Sequence, residues 1–478
     1  MSAAAIAPPP RAHSPWAVFA TVALGTFMAT LDSSIVNVAL PTLARNFSAT
    51  VTQIEWVSLS YALTITGLLL PFGRLGDALG RRRVFAFGLG LFTLGSLLCA
   101  VAFSTGTLVA ARVAQGVGAS MVSANSVALI TAAVPREVRG RALGLIGAVV
   151  GLGLTVGPPL GGFLLSAFGW RSVFLVNLPI GIWGVLRARS VLPRDEPSAP
   201  RAARPPFDLA GAGLAIAALV SAMLVLSRGA TWGWTSPATL ACVAGAAVAI
   251  ALFARAERRA ADPLVDFSFF ADPAFRVPMV SLFLSFVALF GTVFLIPFYL
   301  ERTAGLPPAA VGRVLVVVPL MLLLVSPASG ALSDRLGTRP LALAGLATTS
   351  AGLALLAWML GRAGEVPLGV PAILLGLTVV GLGQGLFQPP NSSSAVSAVP
   401  SEKLGLAGGL LATMRNLGTL FGIGLAAAVY EGRETVYART HGPVAAAGLG
   451  MRDAFLAAAL VAALATLLAA WRAPKGTA

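Results

Sequence analysis

The chain of 478 residues is too apolar for a water-soluble protein, since 57% of its residues are hydrophobic and only 11% are charged. Its mean hydropathy is +0.87. A soluble domain carries a charged fraction of about a quarter. The apolar residues also occur in blocks of about twenty, the length at which a helix crosses a hydrocarbon core of ~30 Å. The composition therefore excludes a soluble enzyme and predicts an all-α integral membrane protein.

Hydropathy along the chain predicts fourteen transmembrane helices. Their expected positions are 16–37, 53–72, 84–103, 107–131, 142–165, 171–187, 208–227, 236–254, 277–300, 309–332, 340–360, 370–391, 405–430 and 452–471.

The net charge of +15 is a topology signal. With the N-terminus in the cytoplasm, the inner loops hold more than twice as many Lys and Arg residues as the outer loops. This bias predicts that both termini are cytoplasmic in a multi-pass protein of the cell (inner) membrane. A nucleic-acid partner is not needed to explain the basic charge.

The cysteine and histidine residues do not form a pattern typical of a disulfide or a metal site. Cys99 and Cys242 fall inside predicted spans, and His13 and His441 lie outside the spans and far apart. We therefore expect no disulfide framework and no metal site. The first apolar segment lacks a small-residue cleavage site, so we interpret it as a retained helix and not as a signal peptide.

A long-range repeat divides the predicted spans. The segment GRLGDALGRR at 73–82 returns as GALSDRLGTR at 330–339, and the Gln-Gly pair at 115–116 returns at 384–385. Such repeats indicate two homologous bundles. We predict a cytoplasmic tail (1–15), a six-helix bundle (16–187), a linker with an inserted transmembrane hairpin and a following loop (188–276), a second six-helix bundle (277–472) and a cytoplasmic tail (473–478).

The repeated loop is a candidate gate. Its glycines permit a tight interhelical turn, its Asp can face a helix N-terminus, and its Arg cluster anchors it at the inner membrane surface. A generic positive-inside loop is the alternative, but such a loop does not require this pattern twice. The candidate gating residues are Gly73, Asp77, Gly80, Arg81, Arg82 and Asp334.

This loop resembles the signature loop of the major facilitator superfamily, and other segments resemble its fourteen-helix drug/proton antiporter branch. The matching segments are LDSSIVNVALP at 31–41, ARVAQGVGA at 111–119, GPPLGG at 157–162, WRSVFLVNLPIG at 170–181, PFYL at 297–300 and TMRNLG at 413–418. The resemblance covers essentially the whole chain. It implies the major facilitator fold and alternating-access exchange of a lipophilic compound for protons.

Asp32 is the candidate proton carrier, because it lies inside the first predicted span. A carboxylate there costs on the order of 2.5–3.5 kcal/mol, so it is expected to face the bundle interior. Desolvation favours the neutral form of a carboxyl group, which makes proton loading possible. A structural carboxylate satisfied by a neighbouring helix is the alternative.

Arg112, in the fourth span, is the predicted partner of Asp32 in proton coupling. We place Asp32 in the outer third of its helix and Arg112 one to two turns below the outer surface, so their depths agree within about a turn. The pair would load a proton when apart and release it when Arg112 approaches. Alternatively, Arg112 only joins helices through backbone carbonyls. Arg415 is a second embedded cation that either lines a cavity or packs between helices.

The fifth span contains glycines at spacings of four, six and four, namely Gly147, Gly151, Gly157 and Gly161. Small residues let helix backbones approach closely, and a proline can kink the helix. Ordinary packing explains the same spacing, whereas the resemblance implies that the contact seals an intermediate state. The antiporter-motif candidates are Gly157, Pro158, Gly161 and Gly162.

The candidate substrate cavity combines aromatic and polar residues near the midplane between the bundles. Five phenylalanines recur at three and four residues in the ninth span, and such a stripe either lines a pocket or contacts lipid and neighbouring helices. The candidate cavity residues are Asn37, Phe286, Phe290, Phe294, Gln384, Gln388, Asn391, Arg415 and Asn416.

The sequence thus predicts a proton-coupled, monomeric exporter of small lipophilic compounds such as drugs or antibiotics, in contact with membrane lipid and with no cofactor besides protons. One embedded Asp against two Arg argues against a dication pocket, while neutral, zwitterionic and monocationic compounds or a lipid stay open. An uptake symporter and a lipid or lysolipid transporter or flippase are the alternatives. A membrane enzyme would need catalytic groups that the sequence does not show. Glu55, beside Trp56, is either a secondary acid of the coupling system or, as we interpret it, an interfacial residue next to an aromatic belt.

Overall fold

The computed structural model describes residues 14–135, 138–193, 209–259, 267–364, 366–399 and 404–471. Within these ranges every regular element is a helix, which agrees with the predicted all-α class. Most of the two predicted tails and the larger part of the Pro- and Arg-rich linker lie outside the described residues.

Seventeen α-helices are described in chain order. They are α1 (Pro15–Asn46), α2 (Val51–Ile54), α3 (Trp56–Leu79), α4 (Arg81–Ala100), α5 (Thr105–Ala133), α6 (Arg139–Phe168), α7 (Ser172–Leu175), α8 (Asn177–Val191), α9 (Leu209–Trp232), α10 (Pro237–Arg259), α11 (Pro273–Phe298), α12 (Pro308–Leu315), α13 (Val317–Leu336), α14 (Thr338–Ala363), α15 (Val370–Ser397), α16 (Leu404–Tyr437) and α17 (Pro443–Ala470). A short 3₁₀ segment, Phe267–Ala271, precedes α11, and a π-helical turn, Tyr299–Thr303, follows it.

Among the described residues, eleven helices are long and apolar enough to cross a membrane. The segments Val51–Leu69 and Pro71–Leu79, bent by 53°, make twelve if they form one span. The sixth predicted span is divided into α7 and α8, and the seventh has a described apolar core of only Gly213–Gly229. The fourteen-helix count therefore stays a prediction.

The helices pack as two bundles with a hairpin beside them. Helices α1–α8 pack mainly with one another and form the first bundle, and α11–α17 form the second bundle. Helices α9 and α10 pack together as the hairpin, and α9 also contacts α3 and α16. The hairpin thus lies against the seam between the bundles.

The repeat is visible as one shared turn in each bundle. Gly80 joins α3 to α4 with φ +104°, and Gly337 joins α13 to α14 with φ +85°. A side chain is strained at such φ values, so the turn favours glycine. Two residues after each turn, an Arg donates to a backbone carbonyl: Arg82 bonds the carbonyl of Arg189, and Arg339 bonds that of Ala470 at 2.6 Å. Each turn is thus tied to the last helix of its bundle.

Two predicted helix boundaries are wrong. The first helix continues nine residues beyond the expected end at Asn37, because Pro41 is accommodated inside it; neighbouring helices can satisfy the backbone groups that a proline frees. Asp32 therefore lies near the middle of α1 and not in its outer third. The last helix begins at Pro443, nine residues before the predicted start.

The two bundles are joined at one end of the molecule, which we call the closed end. Thr42 Oγ1 donates to Glu301 Oε1 at 2.7 Å, and Arg45 forms an ion pair with the same oxygen. The backbone N–H of Ala309 donates to Ser166 Oγ at 3.1 Å. These contacts connect α1 and α6 of the first bundle to the π-helical turn after α11 and to the first turn of α12 in the second.

The bundles diverge toward the end that carries the two glycine turns, which we call the open end. At the closed end, a Cβ on Gly162 would lie 2.5 Å from the carbonyl oxygen of Pro308, and a Cβ on Gly312 would overlap that of Pro158. Gly151 occupies the same face of α6 as Gly162, three turns or about 16 Å away. A Cβ there would meet nothing within 4 Å. The same helix face is therefore in contact at one end and free at the other.

The closed-end contact should not tolerate a methyl group at Gly162. Gly162→Ala forces the bundles apart near Pro308, and overpacking of this kind costs about 1–3 kcal/mol. In a background without the two native cysteines, a thiol at the buried position Val311 should then be alkylated about 5- to 100-fold faster. Gly213→Ala is the matched control, because a Cβ there meets nothing within 4 Å. Equal alkylation rates in both variants would contradict the contact.

Candidate functional site

Asp32 lies in a fully enclosed polar pocket inside the first bundle, with 0% of its surface exposed. Arg112 Nη1 lies 2.5 Å from its Oδ2, and the side-chain amides of Gln115 and Asn177 each donate to its Oδ1 at 2.8 Å. All three groups are hydrogen-bond donors. A carboxylate accepts such bonds only through its lone pairs, so the pocket is complementary to the ionised form of Asp32.

Arg112 connects this pocket to the backbone and to an aromatic ring. Its Nε donates to the carbonyl oxygen of Val57 at 2.9 Å, and its Nη1 also lies 2.6 Å from Gln115 Oε1. The guanidinium carbon lies 4.0 Å above the ring centroid of Tyr61, within the range of a cation–π contact. The ion pair with Asp32 and the bond to a backbone carbonyl, which the sequence left as alternatives, are both present.

Close helix packing places the donors around Asp32. Arg112 and Gln115 are three residues apart, so they share one face of α5. Gly95 lets α4 approach that helix, because a Cβ there would lie 2.6 Å from Gln115 Cα. The same approach allows the Gln115 amide to donate to Ser96 Oγ at 2.7 Å. A larger side chain at Gly95 would displace the amide from the carboxylate.

A small cleft between the bundles reaches this pocket. It has a volume of about 20 Å³ and is lined by Asn37 and Arg112 from the first bundle and by Phe290 and Thr419 from the second. Such a volume has room for about one water molecule. Arg112 contacts both the buried carboxylate and the cleft, so it connects Asp32 to the space between the bundles.

Several candidate cavity residues surround the cleft. Asn37 and Phe290 line it, and Phe286 stacks on Phe290 with ring centroids 5.6 Å apart. Gln388 and Asn416 are half-buried. The second bundle thus presents the ring of Phe290 to the cleft, together with the polar Asn37 of the first bundle.

Three other candidate cavity residues lie inside the second bundle, so their placement at the cleft was wrong. Phe294 is buried in the hydrophobic core. The side-chain amide of Gln384 is within hydrogen-bonding distance of Ser285 Oγ through both its oxygen and its nitrogen, each at 3.0 Å. Asn391 donates to the backbone carbonyl of Pro278 at 3.0 Å. Helix α11 packs against α15, α16 and α17, so only one flank of its phenylalanine stripe reaches the cleft.

Arg415 is exposed although it lies within the transmembrane part of α16. Thr419, one turn further along, lines the cleft. On the adjoining flank a Cβ at Gly422 would meet Val287 of α11, and on the opposite side Gly424 faces Leu226 of α9. Arg415 therefore faces the opening between the bundles and not the lipid. Within the described part of the chain no carboxylate acts on its guanidinium.

The candidate gating residues lie at the open end. Asp77 Oδ1 accepts from Arg81 Nε at 2.8 Å in an exposed i,i+4 pair, which contributes little stability. Asp334, the equivalent of Asp77 in the second copy of the loop, is also exposed. The position equivalent to Arg81 is occupied by Thr338, so the second copy cannot form the same ion pair. A Cβ at Gly73 would meet nothing within 4 Å. The two copies thus share the glycine turn and its Arg anchor, and not the acid–base pair.

The GPPLGG segment of α6 contacts both bundles. Gly157 lies against Ser34, and a Cβ at Gly161 would be 2.7 Å from Ile35 Cγ1, so these glycines face α1. Pro158 and Gly162 face α12 of the second bundle. Gly147 and Gly151 make no such approach, since a Cβ at either meets nothing within 4 Å. The close contact is limited to the closed half of the helix.

The family-level comparison agrees with this geometry. The family model of the Major Facilitator Superfamily matches residues 22–208, 209–423 and 278–477. The chain belongs to the major facilitator superfamily. Its similarity to the drug/proton antiporter branch, predicted from the motifs, is confirmed by relatives that include multidrug resistance proteins.

Two curated relatives and one solved structure illustrate the relationship. The chain is 36% identical over 407 residues to the multidrug resistance protein Stp of Mycobacterium tuberculosis, covering 85% of this chain and 74% of the relative. It is 34% identical over 411 residues to the riboflavin transporter RibZ of Clostridioides difficile, covering 85% and 86%. A bacterial homolog of the human lysosomal transporter Spinster has the same fold, with a TM-score of 0.67 at 15% identity over 95% of this chain and 96% of that one.

The membership makes this chain a multi-pass membrane protein in a family of transporters, which are generally not enzymes. Sequence reasoning missed the roles of Gln115 and Asn177, although both stood in the quoted segments. The signal that could have found them is the number of hydrogen-bond donors that a buried carboxylate needs. A buried carboxylate has about four lone-pair sites, which one Arg does not fill. Polar residues on the inner faces of neighbouring spans were therefore to be expected as further donors.

Removing one member of the Asp32–Arg112 pair should destabilise this facilitator protein more than removing both. Asp32→Ala leaves the Arg112 charge buried without its carboxylate, which costs about 3–5 kcal/mol. Arg112→Met leaves the opposite charge. The double substitution leaves neither, so thermal unfolding in detergent should recover much of the loss. Strictly additive losses would contradict a coupled pair.

Proposed function

We propose that this protein is a proton-coupled exporter of small lipophilic compounds, working by alternating access with six, two and six transmembrane helices. The observation that carries the proposal is the buried Asp32 pocket, which Arg112 connects to the cleft between two bundles. A charge held at this depth in a membrane protein marks a functional site.

We further propose that the closed end faces outward and that both termini lie in the cytoplasm. The basic segments at the open end, including Arg81 and Arg82, support this orientation through the positive-inside rule. The described conformation would then be open to the cytoplasm. Each chain contains both bundles and the cleft between them, so a single chain is sufficient for transport.

In the proposed cycle, Asp32 binds a proton from the outer side and releases it toward the cytoplasm. The three donors around it favour the carboxylate in the conformation closed to the outside. A proton on Oδ2 would occupy the position that Arg112 contacts, so proton binding would free the guanidinium. Arg112 would then be available to the cleft, where its charge changes what the cavity can hold.

Helix α1 can transmit the protonation of Asp32 to the closed end as a change in helix packing. Ser34 and Ile35 follow Asp32 within one turn and lie against Gly157 and Gly161 of α6. A neighbouring face of α6, about 100° around the helix axis, contacts α12. We therefore propose that the GPPLGG segment seals the outward side and that the 73–82 and 330–339 loops gate the cytoplasmic side.

The charges of the opening narrow the substrate class. Asp32 and Arg112 neutralise each other, while Arg415 remains a cation without an acidic partner among the residues described. The opening thus has an excess positive charge beside the aromatic surface of Phe286 and Phe290. We propose that lipophilic compounds with a carboxylate, zwitterions and neutral compounds are accepted, and that dications are disfavoured.

Uptake of a ring-containing vitamin is the second candidate, because one relative is named a riboflavin transporter. The direction of coupling separates the two. In everted membrane vesicles, an exchanged substrate should collapse a preformed pH gradient, whereas a symported one should not collapse it when added outside.

The first transport test is Asp32→Asn. The variant removes the titratable group but keeps an acceptor oxygen for Gln115 and Asn177, so insertion and the fold should be retained at a lower stability, because Arg112 loses its carboxylate. We expect pH-gradient-driven transport in everted vesicles to fall at least about tenfold. Binding, measured by thermal stabilisation against a panel of lipophilic compounds, should persist. Retained proton coupling would place the proton site elsewhere.

The second test concerns Arg415 and a pair of probes with one ring system, naphthalene-2-carboxylate and naphthalene-2-carboxamide. The wild type should be stabilised more by the carboxylate, because a desolvated charge-assisted bond contributes about 1.5–3 kcal/mol. Arg415→Gln should lose about tenfold or more in affinity for the carboxylate and little for the amide. Arg313→Gln, outside the cleft at the closed end, is the matched control. Equal losses for both probes would contradict an anion-binding role.

A further inference from the structure

Glu55 is a buried acid that the proposed cycle does not use. It lies at the break between α2 and α3 with 0% of its surface exposed, so its side chain is enclosed by protein and does not face an aromatic belt in the interface. Neither of its carboxyl oxygens forms a hydrogen bond with any residue that the structure describes. A carboxyl group in this position is exceptional, because buried polar groups are nearly always paired.

Three elements meet at this carboxyl group. Helix α9 of the hairpin contributes Ser227 and Arg228, and α16 of the second bundle contributes Glu431. Ser227 Oγ accepts from Trp56 Nε1 at 2.9 Å, and its hydroxyl group lies near the Glu55 carboxyl group. Arg228 is half-exposed. The site therefore lies in the seam where the first bundle meets the hairpin and the second bundle.

Glu431 makes the seam unfavourable for a second negative charge. Its Oε2 accepts from the backbone N–H of Thr52 at 3.1 Å, which holds its carboxylate against the start of the helix that ends at Glu55. A negative charge on Glu431 acts on the Glu55 carboxyl group and disfavours its ionisation. Among the described residues, Arg228 is the cation that acts on Glu55, and water weakens its effect because the side chain is partly exposed.

Comparison with Asp32 shows how differently the protein surrounds two of its buried acids. Asp32 receives donors from three side chains, which stabilise a carboxylate. Glu55 receives none from the described residues and faces another acid. An unpaired buried charge is far more unfavourable than a neutral carboxyl group in the same place. The geometry therefore matches an ionised Asp32 and a neutral Glu55.

We propose that Glu55 is a second proton-binding site, which carries a proton while the closed end is sealed and loses it when the seam opens. On opening, Glu55 meets water, its O–H bond breaks, and the proton passes to water on that side, leaving a hydrated carboxylate. On closing, the carboxylate takes a proton from water before it is buried. The proposal rests on alternating access in the proposed function, but not on Asp32 as the coupling site.

A definite pH dependence follows from this linkage. The sealed state holds one proton more than the opened state at this site, so raising the pH shifts the equilibrium toward opening. One linked proton changes the ratio of the two states by up to about tenfold per pH unit. Glu55→Gln keeps the shape and the neutral charge of the protonated acid, so its closed end should stay sealed at every pH.

The experiment measures the separation of the bundles at the closed end by electron–electron resonance in lipid nanodiscs. Spin labels at the exposed positions Phe168 and Ala438, in a background without native cysteines, would report the sealed fraction between pH 5 and pH 9. In the wild type this fraction should fall as the pH rises. In Glu55→Gln it should stay high and nearly constant, and Glu434→Gln, which changes an acid on α16, should behave like the wild type.

The variants Glu55→Met and Asp32→Asn complete the test. Glu55→Met also lacks a titratable group and should give the same constant fraction if the amide variant is poorly folded. Asp32→Asn should retain the pH response even where proton-driven transport is lost, which separates this site from the coupling site. A pH response that persists without an acid at position 55, or that disappears in Asp32→Asn, would overturn the proposal. A wild type with no pH response would overturn it as well.

Discussion

A buried ion pair, Asp32 with Arg112, is the constraint on which the first bundle depends. Lipid offers no water to satisfy a charge, so each lone pair and donor must be matched by protein. The match requires side chains from α5 and α8 to converge on α1, and that convergence requires glycine where α4 meets α5. The hydrogen bonds to this one carboxylate therefore depend on the close helix packing that the small residues allow.

The same short stretch of α1 also connects chemistry to conformation. Asp32 and Ser34 are two residues apart, yet one lies in the charged pocket and the other against the glycines of α6. Because α6 also contacts α12 through a neighbouring face, a rotation of α1 cannot leave the closed end unchanged. Interiors of this density transmit small displacements instead of absorbing them.

Polar groups are distributed unequally between the two bundles. In the first bundle three side chains donate to the buried charge of Asp32, whereas in the second Gln384 and Asn391 join helices without a buried charge. Arg415 is the exception, a cation presented to the opening. The sequence repeat therefore preserves the turns and the helix contacts, while the chemistry has diverged between the halves.

The sequence by itself determined the membrane class, the helical content, the repeated glycine turns and the residues Asp32 and Arg112, because hydropathy, spacing and a lone embedded acid are local properties. It misjudged the length of α1, since a proline ends a helix only where no neighbour compensates. Only the tertiary structure decided which polar residues complete the Asp32 pocket and which face the opening. It also decided that Glu55 is enclosed, because burial depends on three helices that lie far apart in the chain.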